Sequence, residues 1–231
     1  MTLATSLISH VVRIEENEIS SIVIESPRLF RSFVQDLIEG VEHGAGSFIL
    51  SDGGEKLKLS ESVDVLQTFV PFTLNSKAMS AALLKRVERI ALMPERRLAT
   101  AKVMSDLLRY VEELLLDIPH EVECEKGTIG AVLKGLGLRF VEDLEDYPNL
   151  VMGYLRLARE FLGIRLSVWI NARSYLSDEE LMGLLDVASS EKLAVLLVDG
   201  VAKKALPHER RLLVDEDLCE LSAQEDENDI I

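Results

Sequence analysis

The chain has 231 residues, 48% hydrophobic and 28% charged, with a formal net charge of -15 at pH 7. That apolar content supports a full core and confines disorder to short segments, while its two cysteines, Cys124 and Cys219, stand in no metal-ligand spacing and give neither a disulfide framework nor a zinc centre. No basic stretch precedes the first apolar residues, and the longest uncharged runs, such as residues 65–76, fall short of the roughly 20 residues that span a bilayer; the expectation is a cytoplasmic protein without membrane contact.

In chain order, ISSIVI at 19–24 predicts a buried strand, with an edge strand at 11–14 before it. A turn at Glu25-Ser26-Pro27 leads into a helix whose Pro27 suits the first helical position, whose buried stripe is Leu29, Phe30, Phe33, Leu37 and Ile38, and whose end falls near Gly40. A third strand is expected at 47–50. Asp52-Gly53-Gly54-Glu55 is a hairpin turn, and the alternation of Lys56-Leu57-Lys58-Leu59 suits a half-exposed strand after it.

Beyond Pro71 the period changes to that of helices. Met79, Leu83, Val87 and Ile90 form one stripe, Pro94 breaks it, and residues 98–116 form a longer helix with Val103, Leu107, Val111 and Leu114 inward. Shorter helices are expected at 128–134, stopped by Gly135, and at 150–162, stopped by Gly163. An all-helical section, 74–162, is thus inserted into an α/β domain made of 1–73 and 163–219, with an acidic, disordered tail at 220–231.

That domain resumes with its most legible stretch. LSVWI at 166–170 and LAVLLV at 193–198 are apolar runs of strand length around a helix that opens on Ser177 with Asp178, Glu179 and Glu180, a capping box with acids at the positive helix end. Leu181, Leu184, Leu185 and Ala188 share one face of it. Such a β-α-β unit between strands apolar on both faces marks a parallel sheet covered on both sides. LLV at 212–214 adds its last strand.

Charge is distributed unevenly, and the distribution informs more than the sum. Residues 215–229 hold eight carboxylates and no basic group, whereas 76–109 hold eight Lys/Arg against three acids. Lys85 and Arg89 share a helix face, with Arg86 beside them and Arg96-Arg97 after the proline break. A basic helical section without interleaved aromatics suits phosphate contact better than base stacking; the alternative is a solvated helix surface with i,i+4 pairing. Glu121, Glu123 and Glu125 alternate along HEVECEKG and, in an extended segment, point the same way. They repel one another unless a hard cation such as calcium takes them as oxygen ligands, the alternative being a solvated acidic face.

Catalysis finds little purchase. The strand-turn-helix at 19–38 sits where a phosphate loop would lie, yet Glu25-Ser26-Pro27-Arg28 has no glycine and lacks an N–H at the proline, and Gly-Lys occurs nowhere. The apolar run ending at Asp199 resembles a magnesium-holding strand end but is more simply a turn at Asp199-Gly200. His10, His43, His120 and His208 are expected on the surface without carboxylate or nucleophile partners, Trp169 in the core, and Gly135-Leu136-Gly137 closes a helix where a dinucleotide fingerprint would open one.

Taken together, SIVIESPRLFRSFVQDLI, LKLSESVDVLQTFVPFTLNSK, VLKGLGLRFVED, LSVWINARSYLSDEELMGLLDVASSEKLAVLLVDG and LLVDEDLCEL, in that order, resemble the accessory protein of CRISPR subtype II-A adaptation modules, the Csn-two family, over about residues 12–221. The resemblance implies a degenerate P-loop-like α/β head with a mainly parallel sheet, an inserted all-helical leg, no catalytic residues, and a homotetrameric ring. It further implies binding of double-stranded DNA ends through a basic inner hole, with Lys85, Arg86, Arg89, Arg96 and Arg97, or the hairpin cations Lys56 and Lys58, as contacts. Calcium at Glu121, Glu123 and Glu125 and partnership with the CRISPR integrase proteins and effector nuclease in spacer acquisition complete the expectation. The competing readings are a P-loop-like nucleoside-triphosphatase and a protein-interaction adaptor without DNA contact.

Overall fold

The protein is described from a computed structural model covering residues 1–15 and 18–223. Met1–Thr73 holds strands β1 (Thr2–Ala4), β2 (Val12–Arg13) and β3 (Ile19–Ile24), helix α1 (Pro27–His43), β4 (Ile49–Asp52), β5 (Glu55–Leu57), the short helix α2 (Leu59–Ser62) and β6 (Val63–Leu66). Leu74–Glu142 holds α3 (Lys77–Ala91), α4 (Pro94–Leu115) and α5 (Ile129–Gly135). From Asp143 on come α6 (Tyr147–Leu157), a π turn at Ala158–Leu162, β7 (Leu166–Ile170), a 3-10 turn at Ala172–Ser174, α7 (Asp178–Ser190), β8 (Ala194–Asp199), β9 (Glu209–Val214) and β10 (Glu220–Ala223). The first and third stretches form one compact unit and Leu74–Glu142 the other.

The fold is mixed α/β. In the first unit a six-stranded sheet runs β10-β9-β3-β8-β7-β6, parallel throughout except where β10 pairs antiparallel with β9. β7 and β8 are buried nearly from end to end and β3 is central, which is why they are almost continuously apolar in sequence. The two serines within β3 are satisfied: Ser20 Oγ donates to the Arg13 carbonyl at 3.1 Å and Ser21 Oγ to Glu209 at 2.5 Å. On one face Ile22, Ile24, Val168, Ile170, Leu196 and Val198 pack with Phe33 and Leu37 of α1 and with Leu3, Phe48 and Leu50 from a separate antiparallel sheet of order β2-β1-β4-β5. Ser177 caps α7 reciprocally with Glu180, and Leu181, Leu184, Leu185 and Ala188 are its buried face, as the spacing predicts.

Several boundaries differ from the sequence expectation, each for a local reason. α1 runs past Gly40, which is buried within the helix, to a left-handed cap at Gly44 with φ 67°. The expected edge strand at 11–14 is Val12–Arg13 and belongs to the smaller sheet, paired with β1. β5 ends at Leu57, because Leu59 already opens α2. The final strand extends back to Glu209, and the stretch from Glu220, expected to be disordered, begins with β10, anchored where Glu220 accepts the backbone N–H groups of Ser9 and His10 and pairs with His10 Nδ1 at 2.5 Å. Burial would raise that carboxyl, but the backbone donors and His10 outweigh it and hold it at about 2. His43 likewise pairs with Glu39 at 3.2 Å, so two of the four histidines have carboxylate partners the sequence did not disclose. Residues 224–231 of the expected tail lie outside the described residues. The helix expected at 150–162 is α6 followed by the π turn, and it falls in the first unit, so the helical unit ends at Glu142 and not at Leu162.

At the free edge β6 carries Asp64, whose Oδ2 is buried without a partner among the described residues. Burial raises its carboxyl above the usual range, against the lowering effect of hydrogen bonds from Tyr154 and the Val65 N–H. A raised folded-state value means the folded state prefers the protonated acid, so this group favours folding below its unfolded value and opposes it as pH rises through the folded value. Asp64→Asn is therefore expected to raise the melting temperature by a few degrees at pH 7.5 and by less at pH 4, in parallel thermal melts; an equal shift at both would show that charge is not the cause.

Candidate nucleic-acid interface

The helical unit owes its local structure to two caps and one corner. Ser76 and Thr128 accept the N–H groups of Met79 and Ala131 to start α3 and α5, and Pro94, at the first position of α4, turns the chain after Leu92-Met93. Thr100 Oγ1 donates to the Ala91 carbonyl at 2.7 Å, fixing α4 against the end of α3.

That corner gathers the basic residues. Lys85, Arg86 and Arg89 lie on the last two turns of α3, and Arg96 and Arg97 in the first turn of α4. Lys85, Arg89, Arg96 and Arg97 are exposed and make no ion pair among the described residues; Arg86 is half-buried and engaged. Arg89 sits well at the negative end of its helix, but Arg96 and Arg97 stand at the positive end of α4, where a cation costs about 0.3–1 kcal/mol. Unpaired cations held against a helix dipole are better placed for an external anion than for the fold. The other two sequence candidates belong to the first unit: Lys56 is exposed on β5, and Lys58 is spent on Glu61 at 2.8 Å. The structure thus brings five of the seven candidates to one corner of the helical unit, while the hairpin pair belongs to the other unit.

Glu121, Glu123 and Glu125 are all exposed, in a stretch from 121 to 128 without regular structure. Among the described residues no three His, Cys, Asp or Glu side chains converge in a way that could hold a metal ion.

The long helix α4 departs most from expectation. It has no buried residue: Met104, Leu108, Val111 and Leu115 are half-buried, while Val103, Leu107 and Leu114, expected inward, are exposed and align with exposed Tyr110. Their 4-3-4 spacing is one continuous apolar stripe. Tyr110 is the member that sequence reasoning missed, and the shared stripe with Leu107 and Leu114 was the available signal. Met104, Leu107, Leu108 and Val111 with Cys124, Gly127 and Val132 line a groove of about 490 Å³.

At the carboxyl ends of the parallel strands, where open α/β sheets take ligands, the turn Glu25-Ser26-Pro27 closes tightly. Glu25 N–H donates to the Val214 carbonyl at 2.9 Å, Ser26 caps α1 through the Leu29 N–H, and Pro27 has no N–H to offer. The Glu25 and Leu29 N–H groups are thereby used, and the turn has no glycine to bring further amides onto a phosphate. No curated protein matches the chain. Residues 41–218 match the model of a protein family described as CRISPR-associated protein (Cas_Csn2).

Proposed function

The chain belongs to the Cas_Csn2 family of CRISPR-associated proteins, and from that premise we propose that it is a non-enzymatic subunit of spacer acquisition that binds the ends of double-stranded DNA as a homotetrameric ring. The observation that carries this reading is the basic corner of α3 and α4, where Lys85, Arg89, Arg96 and Arg97 are exposed and have no ion-pair partner among the described residues. Phosphates attract such a surface irrespective of sequence, and binding releases counterions. The exposed apolar stripe of α4 supports self-assembly, because a stripe of that spacing pairs with a like helix. The turn at Glu25–Pro27, with its Glu25 N–H given to Val214 and no N–H at Pro27, favours DNA binding over nucleotide hydrolysis. No described helix is long and apolar enough to cross a membrane. The proposed site of action is the cytoplasm, alongside the integrase proteins and the effector nuclease.

An electrophoretic shift of linear against covalently closed duplex, with and without calcium and ATP, tests the proposal. Linear duplex is expected to bind, closed circles to compete poorly because a ring must load over an end, and ATP to change nothing and stay intact. Equal affinity for circles and linear fragments would refute the ring while leaving the corner as a DNA contact; ATP hydrolysis abolished by Asp199→Ala would overturn the non-enzymatic reading.

Calcium belongs to the same proposal, with Glu121, Glu123 and Glu125 as the ligand set, although they are not gathered in the fold as described. A cation bound only by the folded assembly stabilises it by mass action, by about 2.7 kcal/mol at a hundredfold excess over Kd. Thermal melts with excess calcium and with chelator should then differ by several degrees, and the Glu123→Ala protein should respond less. Superimposable curves would exclude calcium from the proposal.

A further inference from the structure

Ile19, Ser167, Ala194 and His208 stand at or near the amino ends of β3, β7, β8 and β9, and with the last turns of α7 and the π turn they line a cavity of about 560 Å³. Small-molecule sites span roughly 300–1,000 Å³. Its floor is apolar and made of buried residues: Leu155 and Ala158 from α6 and the π turn, Leu185 and Ala188 from α7, and Val195 from β8. Irregular backbone meets it on three sides. Ala158 and Arg159 belong to the π turn, and Lys192 and His208 are non-glycine residues held left-handed at φ 58° and 57°. Such departures from regular backbone concentrate where ligands bind.

The polar lining is unevenly spent. Asp52 is paired with Arg165, and Glu15 and Glu18 are both paired with Arg210, at 3.1 and 3.2 Å. Arg159 donates through Nη1 to the main-chain carbonyls of Glu191 and Lys192 at 2.7 and 3.0 Å, while the Glu191 carboxylate is taken by Arg156. Arg159 and Lys192 thus have no carboxylate within ion-pair distance among the described residues. In the wall, Ser167 Oγ accepts the Trp169 Nε1–H at 3.0 Å, and its own proton has no acceptor among the described residues. Asp186 is the one lining acid without an ion pair among them, and the unspent donors outnumber it.

We propose that this cavity binds an amphipathic small molecule, an apolar body ending in one anionic, oxygen-bearing group. The body displaces water from Leu155, Leu185 and Val195, and the anion meets Arg159 and Lys192, which the carbonyl of Lys192 ties together. The cavity lies wholly in the first unit and uses none of the cations of the α3–α4 corner, so its occupant is independent of bound DNA.

Octanoate is the probe, with octanol and octylamine as controls of matched chain, in fluorescence titrations of the full chain below the micelle-forming concentration. Trp169 is the single tryptophan and bonds to the cavity wall through Ser167, so a bound carboxylate should change its emission saturably. Octanoate is expected to bind at least tenfold more tightly than either control, and Lys192→Glu, a change at an exposed residue, to remove that preference. Competition by phosphatidylglycerol vesicles would assign the same chemistry to a lipid, and its absence to a free molecule. Equal binding of octanol would mean that only the apolar body is read, and tighter binding of octylamine that Asp186 sets the charge; either overturns the proposal, as does a Lys192→Glu protein with the wild-type preference. If the emission of Trp169 does not move, calorimetric titration with octanoate decides, and the absence of a saturable heat overturns the site.

Discussion

Reversing Lys85, Arg89, Arg96 and Arg97 to glutamate is expected to weaken binding of linear duplex several hundredfold at physiological salt, for every sequence alike. At about 0.15 M salt each phosphate contact contributes roughly fivefold through counterion release, and four lost contacts multiply. The plot of log affinity against log salt should flatten by about 3.6 at the same time. Misfolding would also abolish binding, but it predicts the opposite stability. Arg96 and Arg97 occupy the first turn of α4, where glutamate is favoured by about 0.3–1 kcal/mol per residue, so the reversed protein should melt at or above the wild-type temperature. Lys56→Glu with Lys58→Glu is the matched control. If that pair abolishes binding and the helical quartet does not, the hairpin strand is the contact and the corner is a solvated surface.

Phe33→Ala is expected to cost about 3–5 kcal/mol, a large share of the 5–15 kcal/mol that holds a typical domain together. Phe33 is fully buried in the core cluster that also holds Ile22, Ile24, Leu3 and Leu50, and meets Phe48 edge to face with ring centroids 4.9 Å apart. Truncation removes the ring's transfer energy and that aromatic contact, and leaves a cavity in the core. Trp169, the single tryptophan and itself fully buried in the first unit, reports the loss directly. Its fluorescence transition should fall by about 10 °C. A shift under about 2 °C would mean that α1 re-packs over the gap and that the core is far more adaptable than its burial indicates.

What the sequence disclosed was whatever one residue type or one period specifies locally. The β7-α7-β8 unit was legible because a capping box, a single apolar stripe and two doubly buried strands leave no competing assignment. β6 and β10 were not, because VDVL and ELSA owe their strand state to partners: Val63–Leu66 to β7, a hundred residues on, and Glu220–Ala223 to β9. Gly40 misled because it resembles a helix stop, yet here it sits buried within α1 opposite Leu59. The cations of the corner could be named but not selected. Only the structure shows that Lys58 is paired with Glu61 while Arg96 and Arg97 have no ion-pair partner among the described residues. The α4 stripe was assigned inward because periodicity identifies a face without saying what covers it.

The order of β3 in the sheet sets a timetable for synthesis. β3 emerges early, but both of its neighbours, β8 and β9, lie far downstream at Ala194–Asp199 and Glu209–Val214. At bacterial or eukaryotic elongation rates that gap takes roughly ten to forty seconds to translate, during which a strand of ISSIVI composition has unpaired edges on both sides. Leu74–Glu142 has no such wait. Its contacts are local, and Asn75 clasps Phe140 through paired backbone-to-amide bonds of 2.8 and 3.1 Å, closing the segment on itself. The nascent chain is thus expected to complete Leu74–Glu142 before Met1–Thr73, which stays exposed to chaperones until β8 and β9 have been made.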